Sequence, residues 1–185
     1  MQSRINDIKS ELRLYMNGVL AQSLRERGLR YRLIFGVELP RLKEIAARYE
    51  PDHDLAQALW KEDIRECRIL AGYLQPVDSF LPEIADIWLD AMHDTEIIDY
   101  TCMNLFRRLP YAKGKAFQWI ASEAVLTQYA GYRLMAHLLP SREGGRGAFS
   151  PRDFDELDDQ IEAVLASPSV PVFLRALAQD VRDNL

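Results

Sequence analysis

The sequence predicts an all-α chain, an α-solenoid of about ten or eleven helices stacked as antiparallel pairs. Three observations predict it. One plan recurs: a short apolar helix, a polar break of about three or four residues and a second apolar helix, with equivalent points such as Cys67, Asp99 and Tyr129 roughly 30 residues apart, a period that marks stacked helical pairs. Apolar residues follow the helical period almost everywhere, and the alternation that marks strands is nearly absent. The breaks are short, so successive helices must turn back on one another.

Residues 1–36 are expected to form an atypical N-terminal cap, and 37–185 the stacked pairs. Gly36 ends the cap, and Pro40 suits the first turn of the following helix, where its missing N–H has no intrahelical partner to lose. After a break at Pro51, 55–60 and 64–74 make a pair that stops at Gln75 and Pro76. In 81–92, Leu81, Ile84, Ala85, Trp88, Ala91 and Met92 fall at i, i+3, i+4 and i+7 and form one stripe, with Pro82 in the opening turn. That helix pairs with 97–106, and Leu109-Pro110 breaks the chain again. Residues 116–120 and 124–139 follow, then the stretch 139–147, the one loop with enough Gly, at Gly144-Gly145, to move. Helices 154–166 and 172–181 complete the array; Pro151, with Ser150 and Asp153 in a capping-box pattern, marks the start of the first of them. Trp60, Trp88 and Trp119 all sit in apolar stripes and belong to the core.

At 185 residues and 48% hydrophobic content the chain suits one domain, 1–185, with a sizeable core. No apolar run approaches the roughly 18 residues of a membrane span. The first residues carry Arg4, Asp7, Lys9, Glu11 and Arg13 rather than a signal-peptide core, so a cytoplasmic location without membrane attachment is expected. Cys67 and Cys102 occupy apolar helical positions and read as buried free thiols. His53, His93 and His137 are scattered. There is no Gly-rich phosphate loop, no HExxH pattern and no nucleophile elbow, so neither a metal nor a cofactor is expected.

The net charge of −5 hides a segregation. Residues 1–48 hold 10 Lys and Arg against 5 Asp and Glu, and 111–148 hold 5 against 2; 49–110 hold 5 against 13, and 149–185 hold 3 against 8. Local field rather than total charge governs attraction to phosphates, so an acidic chain of this kind can carry an anion-attracting face. From the residues alone, the reading is a helical array with such a face and no obvious reaction.

The run 31–46, beginning Tyr31-Arg32-Leu33-Ile34-Phe35-Gly36, resembles the DNA alkylation repair family, the HEAT-like-repeat alkylpurine DNA glycosylases of the AlkD type. Ala58-Leu59-Trp60, Ile64-Arg65-Glu66-Cys67, 99–106 and 115–121 are similar to it as well, from about residue 25 onward. The resemblance implies a stack of helix pairs whose concave basic face holds duplex DNA. It also implies hydrolysis of the N-glycosidic bond of cationic alkylated bases, with an Asp stabilising the developing oxocarbenium charge and tryptophan faces holding the cationic base.

Residue by residue the match is partial. Asp99 falls at the family's catalytic Asp and Arg182 at a C-terminal groove Arg, but Thr95 and Gln179 stand where the two groove tryptophans belong, and Tyr129 where a groove Arg belongs. Tyr100, Tyr129 and Tyr132 are the aromatic substitutes on offer. Asp99 is thus the catalytic candidate, and Arg27, Arg30, Lys113, Lys115, Tyr129, Arg133 and Arg182 the DNA-binding candidates. The basic members are expected to converge around Asp99, with Arg107 and Arg108 as further phosphate contacts. Two alternatives stand beside a glycosylase: a catalytically silent binder of DNA structure, and a repeat scaffold for a protein partner.

Overall fold

The computed structural model describes residues 1–139 and 149–185, so the expected Gly144-Gly145 loop lies outside the described residues. Among them the chain is all-α. The helices are α1 Gln2–Leu14, α2 Gly18–Glu26, α3 Leu39–Ala46, α4 His53–Trp60, α5 Arg65–Leu74, α6 Pro82–Asp90, α7 Thr95–Asn104, α8 Ala112–Ile120, α9 Val125–Leu138, α10 Pro151–Ala166 and α11 Val172–Asp183. A lone bridge between Leu33 and Ile64 is the only β pairing among the described residues. None of the helices is long and apolar enough to cross a membrane. Helix stops and starts fall where the punctuation residues placed them: Pro40 lies in the first turn of α3, and Ser150 and Asp153 form a reciprocal capping box on α10.

The chain divides into two compact units, Met1–Leu81 and Pro82–Leu185. In the first, α1 packs on α4, α4 on α5 and α3 on α5. Ile8, Leu12, Leu42, Ile45, Leu55, Leu59 and Leu70 are wholly buried between them, and each such side chain contributes about 1.5–3 kcal/mol by leaving water. Asp52 caps α4 by accepting from the Leu55 N–H and also takes Arg4 of α1 at 2.5 Å, so one carboxylate ties two helices.

The connection from α2 to α3 is held from beneath by a buried acid. Glu66, wholly buried at the start of α5, accepts the backbone N–H groups of Phe35 (3.0 Å), Gly36 (2.9 Å) and Val37 (3.3 Å). Arg65, itself buried, donates to Glu66 at 3.0 Å and to the Val37 carbonyl at 3.2 Å, so the charge is neutralised where it is desolvated. Gly36 adopts φ +75, and an added Cβ there would meet the Asn17 carbonyl oxygen at 2.1 Å; only glycine fits.

In the second unit α9 is the central helix, packed by α8, α7 and α11 and touched by α6. Tyr129, Ala130, Gly131, Tyr132, Leu134 and Met135 are all buried, which is the pattern of a helix covered on nearly every side. Small residues make this possible. The Cys102 thiol of α7 reaches the Ala130 carbonyl at 3.8 Å, and a Cβ on Gly131 would meet the Ile120 amide nitrogen of α8 at 2.5 Å. Both cysteines are buried and free, as expected, and burial pushes their thiols up, that of Cys67 to about 12.

Candidate functional site

Asp99 lies in the second turn of α7. The Asp94 side chain caps that helix by accepting from the Ile97 N–H at 3.0 Å, and Ile97, Ile98, Thr101 and Cys102 turn to the core. The opposite face therefore carries Thr95 and Asp99, both half-buried. Facing them, α9 presents Tyr129 and Arg133, four residues apart and so on one side of the helix.

These three side chains close a triangle of hydrogen bonds. The Tyr129 hydroxyl donates to Asp99 Oδ1 at 2.9 Å, Arg133 Nε donates to the same oxygen at 2.8 Å, and Arg133 Nη2 donates to the Tyr129 hydroxyl at 3.1 Å. The guanidinium also stands 5.7 Å from the Tyr129 ring centroid. Burial and the Asp99 charge push the Tyr129 phenol up, against the pull of the Arg133 hydrogen bond. Burial alone would lower Arg133, but Tyr129 and Asp99 together raise it. The triangle thus holds a neutral phenol and a firmly charged guanidinium. His137, one turn further along α9, is lowered by burial and by the charges of Arg107 and Arg133.

Beside the triangle is an open groove of about 520 Å³ lined, among the described residues, by Thr95, Tyr129, Arg133, Phe173, Leu177 and Asp180. Both partners of Asp99 line it; Asp99 is not among the lining residues. The Phe173 ring, 46% exposed, lies 5.7 Å from that of Tyr129 at 59°, so the groove has an aromatic wall, and Asp180 sets a second carboxylate on its rim. Sequence reasoning missed Phe173, Leu177 and Asp180. Their i, i+4, i+7 spacing on α11 was visible, but such a stripe reads as core until an open groove is seen beside it.

The remaining expected residues are placed elsewhere. Lys113 meets Asp153 at 3.1 Å, Lys115 meets Asp86 at 2.5 Å, and Arg182 meets Asp158 at 3.0 Å. Asp86 also accepts the Trp119 indole N–H at 2.9 Å. Each of these three cations is therefore engaged by a carboxylate of a neighbouring helix, and of the expected basic cluster Arg133 is the one shown in contact with Asp99. Arg27 and Arg30 belong to the first unit, where both are exposed; Arg27 donates to Ser23 at 3.1 Å. Arg107 and Arg108 are exposed. Tyr132 is wholly buried, which corrects its expectation as an aromatic substitute: it has no face to offer a ligand. Gln179 is exposed and donates to Asp183 at 2.7 Å. Trp60, Trp88 and Trp119 are core residues, as expected.

Comparison with known proteins bears on the fold and the family. A search of curated proteins returns no match. A solved structure described as a new family of proteins related to the HEAT-like repeat DNA glycosylases with affinity for branched DNA structures superposes with a TM-score of 0.84. It is 19% identical and the match covers 97% of this chain and 74% of that one, a likeness that shows a shared HEAT-like fold. The pattern of the family described as DNA alkylation repair enzyme matches residues 8–170, most of the length, and with the fold already agreeing, this chain belongs to that family.

Proposed function

We propose that this chain binds DNA and reads its structure, branch points included, rather than cutting a base from its sugar. One observation carries this reading: the Asp99 carboxylate is held by Arg133 at 2.8 Å and by Tyr129 at 2.9 Å. A carboxylate that stabilises an oxocarbenium-like centre acts through its negative charge, and a guanidinium bound to it weakens that field. Here a charge-assisted bond to a guanidinium already answers that charge. The residues standing where the family has groove tryptophans, Thr95 and Gln179, offer no aromatic face either. The exposed Phe173 ring, backed by Tyr129, supplies a modest stacking surface for an unpaired base, and the basic segment 1–48 supplies attraction to phosphates. A cytosolic DNA-binding protein of the repair machinery is the role this fits, with branched DNA favoured because the structurally similar protein has affinity for it.

The test is a pair of assays. Binding to a plain duplex and to a four-way junction is titrated against salt; affinity should fall steeply as salt rises, and a salt-insensitive or absent interaction would overturn DNA binding in favour of a protein scaffold. Release of 7-methylguanine and 3-methyladenine from methylated DNA should stay at background. Release by the native chain that Asp99→Asn abolishes would establish the glycosylase instead.

A further inference from the structure

The turn joining α1 to α2 presents large apolar side chains to solvent on a rigid mount. Leu14 is 80%, Met16 62% and Val19 82% exposed, within six residues. The turn is not loose. The Asn17 N–H donates to the Phe35 carbonyl at 2.9 Å, the Asn17 side chain caps α2 through the Leu20 N–H at 3.1 Å, and the Asn17 carbonyl oxygen lies against Gly36. Phe35 and Gly36 are in turn fixed by Glu66. Hydrogen bonds thus run from the buried Arg65–Glu66 pair through residues 35–37 to the tip.

Three well-exposed aliphatic side chains within six residues, on so firm a base, make a candidate contact surface. The surroundings name the chemistry. Arg13 precedes Leu14 and is exposed, Arg41 lies over the Tyr15 ring 4.4 Å from its centroid while also pairing with Glu44, and residues 1–48 carry twice as many basic as acidic groups. The patch is also small: three side chains against the roughly 20–30 residues a side of a stable protein interface.

Resting on the DNA-binding reading above, we infer that Leu14, Met16 and Val19 form an apolar wedge that enters between unstacked bases at a DNA branch point while the flanking arginines meet phosphates. Aliphatic wedges of this size part base steps in many DNA-binding proteins, and a junction offers steps already loosened.

The test uses the whole chain and its Leu14→Ser, Met16→Ser, Val19→Ser variant. All three sites are at the surface, and an unchanged circular dichroism melt verifies the fold. The probes are a four-way junction with 2-aminopurine beside the branch, a duplex of the same sequence, and phosphatidylserine vesicles. Native protein should raise 2-aminopurine fluorescence, and the variant should lose about tenfold or more in junction affinity with duplex affinity within about twofold. A variant that binds the junction as the native chain does, or that weakens equally on both DNAs, overturns the wedge and leaves DNA binding standing. Native protein that binds neither DNA removes the underlying reading and the wedge with it. Binding to vesicles without the junction, or a dimer that the variant abolishes, assigns the patch to another partner and overturns the wedge.

Discussion

Arg133 reaches across 34 residues of sequence to place Nε 2.8 Å from Asp99 Oδ1. Both side chains are about one-third exposed, at 30% and 36%, so water screens the pair and its net worth to folding is small, about 1 kcal/mol or less. Its consequence is electrostatic. The pair cancels, beside the groove, one positive and one negative charge that a polyanionic ligand would otherwise feel separately.

Asp99→Asn should therefore leave the fold nearly unchanged and strengthen DNA binding. With the carboxylate gone, the guanidinium is released to a phosphate and one repulsive charge disappears; we expect roughly three- to tenfold tighter binding at low salt and a salt slope steeper by about one. A titration showing unchanged or weaker binding would sink the idea that Arg133 is held back by Asp99.

Much of the fold was legible in the sequence because it rests on local rules. Apolar spacing marked 81–92, Pro40 and Pro151 marked starts, and Ser150 with Asp153 marked a cap, each within a few residues of the group it serves. The site was legible only through the resemblance. Nothing in Asp99, Tyr129 and Arg133 taken singly shows that they meet, since the contact spans 30 and 34 residues. The ion pairs Lys113–Asp153 and Lys115–Asp86 were hidden for the same reason, and read as free charges they suggested a basic cluster around Asp99. Glu66 was hidden more deeply, because a charge on a helix is expected in water until the amides it serves come into view.

Glu66→Ala should destabilise the chain by about 3–5 kcal/mol, the range for removing one partner of a buried charge pair. It removes the carboxylate that faces the buried Arg65 guanidinium and orphans the N–H groups of Phe35, Gly36 and Val37. Those amides permit a sharper expectation. Replacing both Arg65→Met and Glu66→Leu removes the buried positive charge but still leaves the amides unpaired, so the double variant should remain destabilised in urea unfolding. A double variant as stable as the native chain would mean that the ion pair, and not amide binding, is what Glu66 provides.

Two glycines with positive φ should respond differently to the same methyl group. At Gly28, φ +100, an added Cβ meets nothing within 4 Å, so Gly28→Ala costs only the backbone preference, about 1–2 kcal/mol. At Gly36 the methyl would also drive into the Asn17 carbonyl at 2.1 Å and the Ala21 amide nitrogen at 2.8 Å, both backbone atoms that cannot step aside singly. Gly36→Ala should lower the urea midpoint by clearly more than Gly28→Ala; equal shifts would show that the α1–α2 turn yields, and that the tip beyond it is not firmly mounted.

Acid should weaken the second unit in two separate windows. His137 is lowered below its ordinary 6.5 by burial and by Arg107 and Arg133, so the unfolded chain takes up a proton first, and stability declines as pH falls below 6.5. Asp153 is held at about 2 by the Ser150 backbone and side-chain bonds and then by Lys113, against an ordinary 3.8. Its contribution is fully present above 3.8 and lost as pH falls toward 2, when the folded carboxylate is finally protonated and the α10 cap and the Lys113 contact go together. Urea midpoints followed across pH should show both declines in the native chain. Asp153→Asn should reduce the acidic decline, to which Asp52, also lowered by Arg4 and the Leu55 N–H, contributes as well, and leave the one near neutrality. His137→Asn should remove the one near neutrality and leave the acidic one. A single decline removed by neither substitution would place the acid sensitivity in other groups.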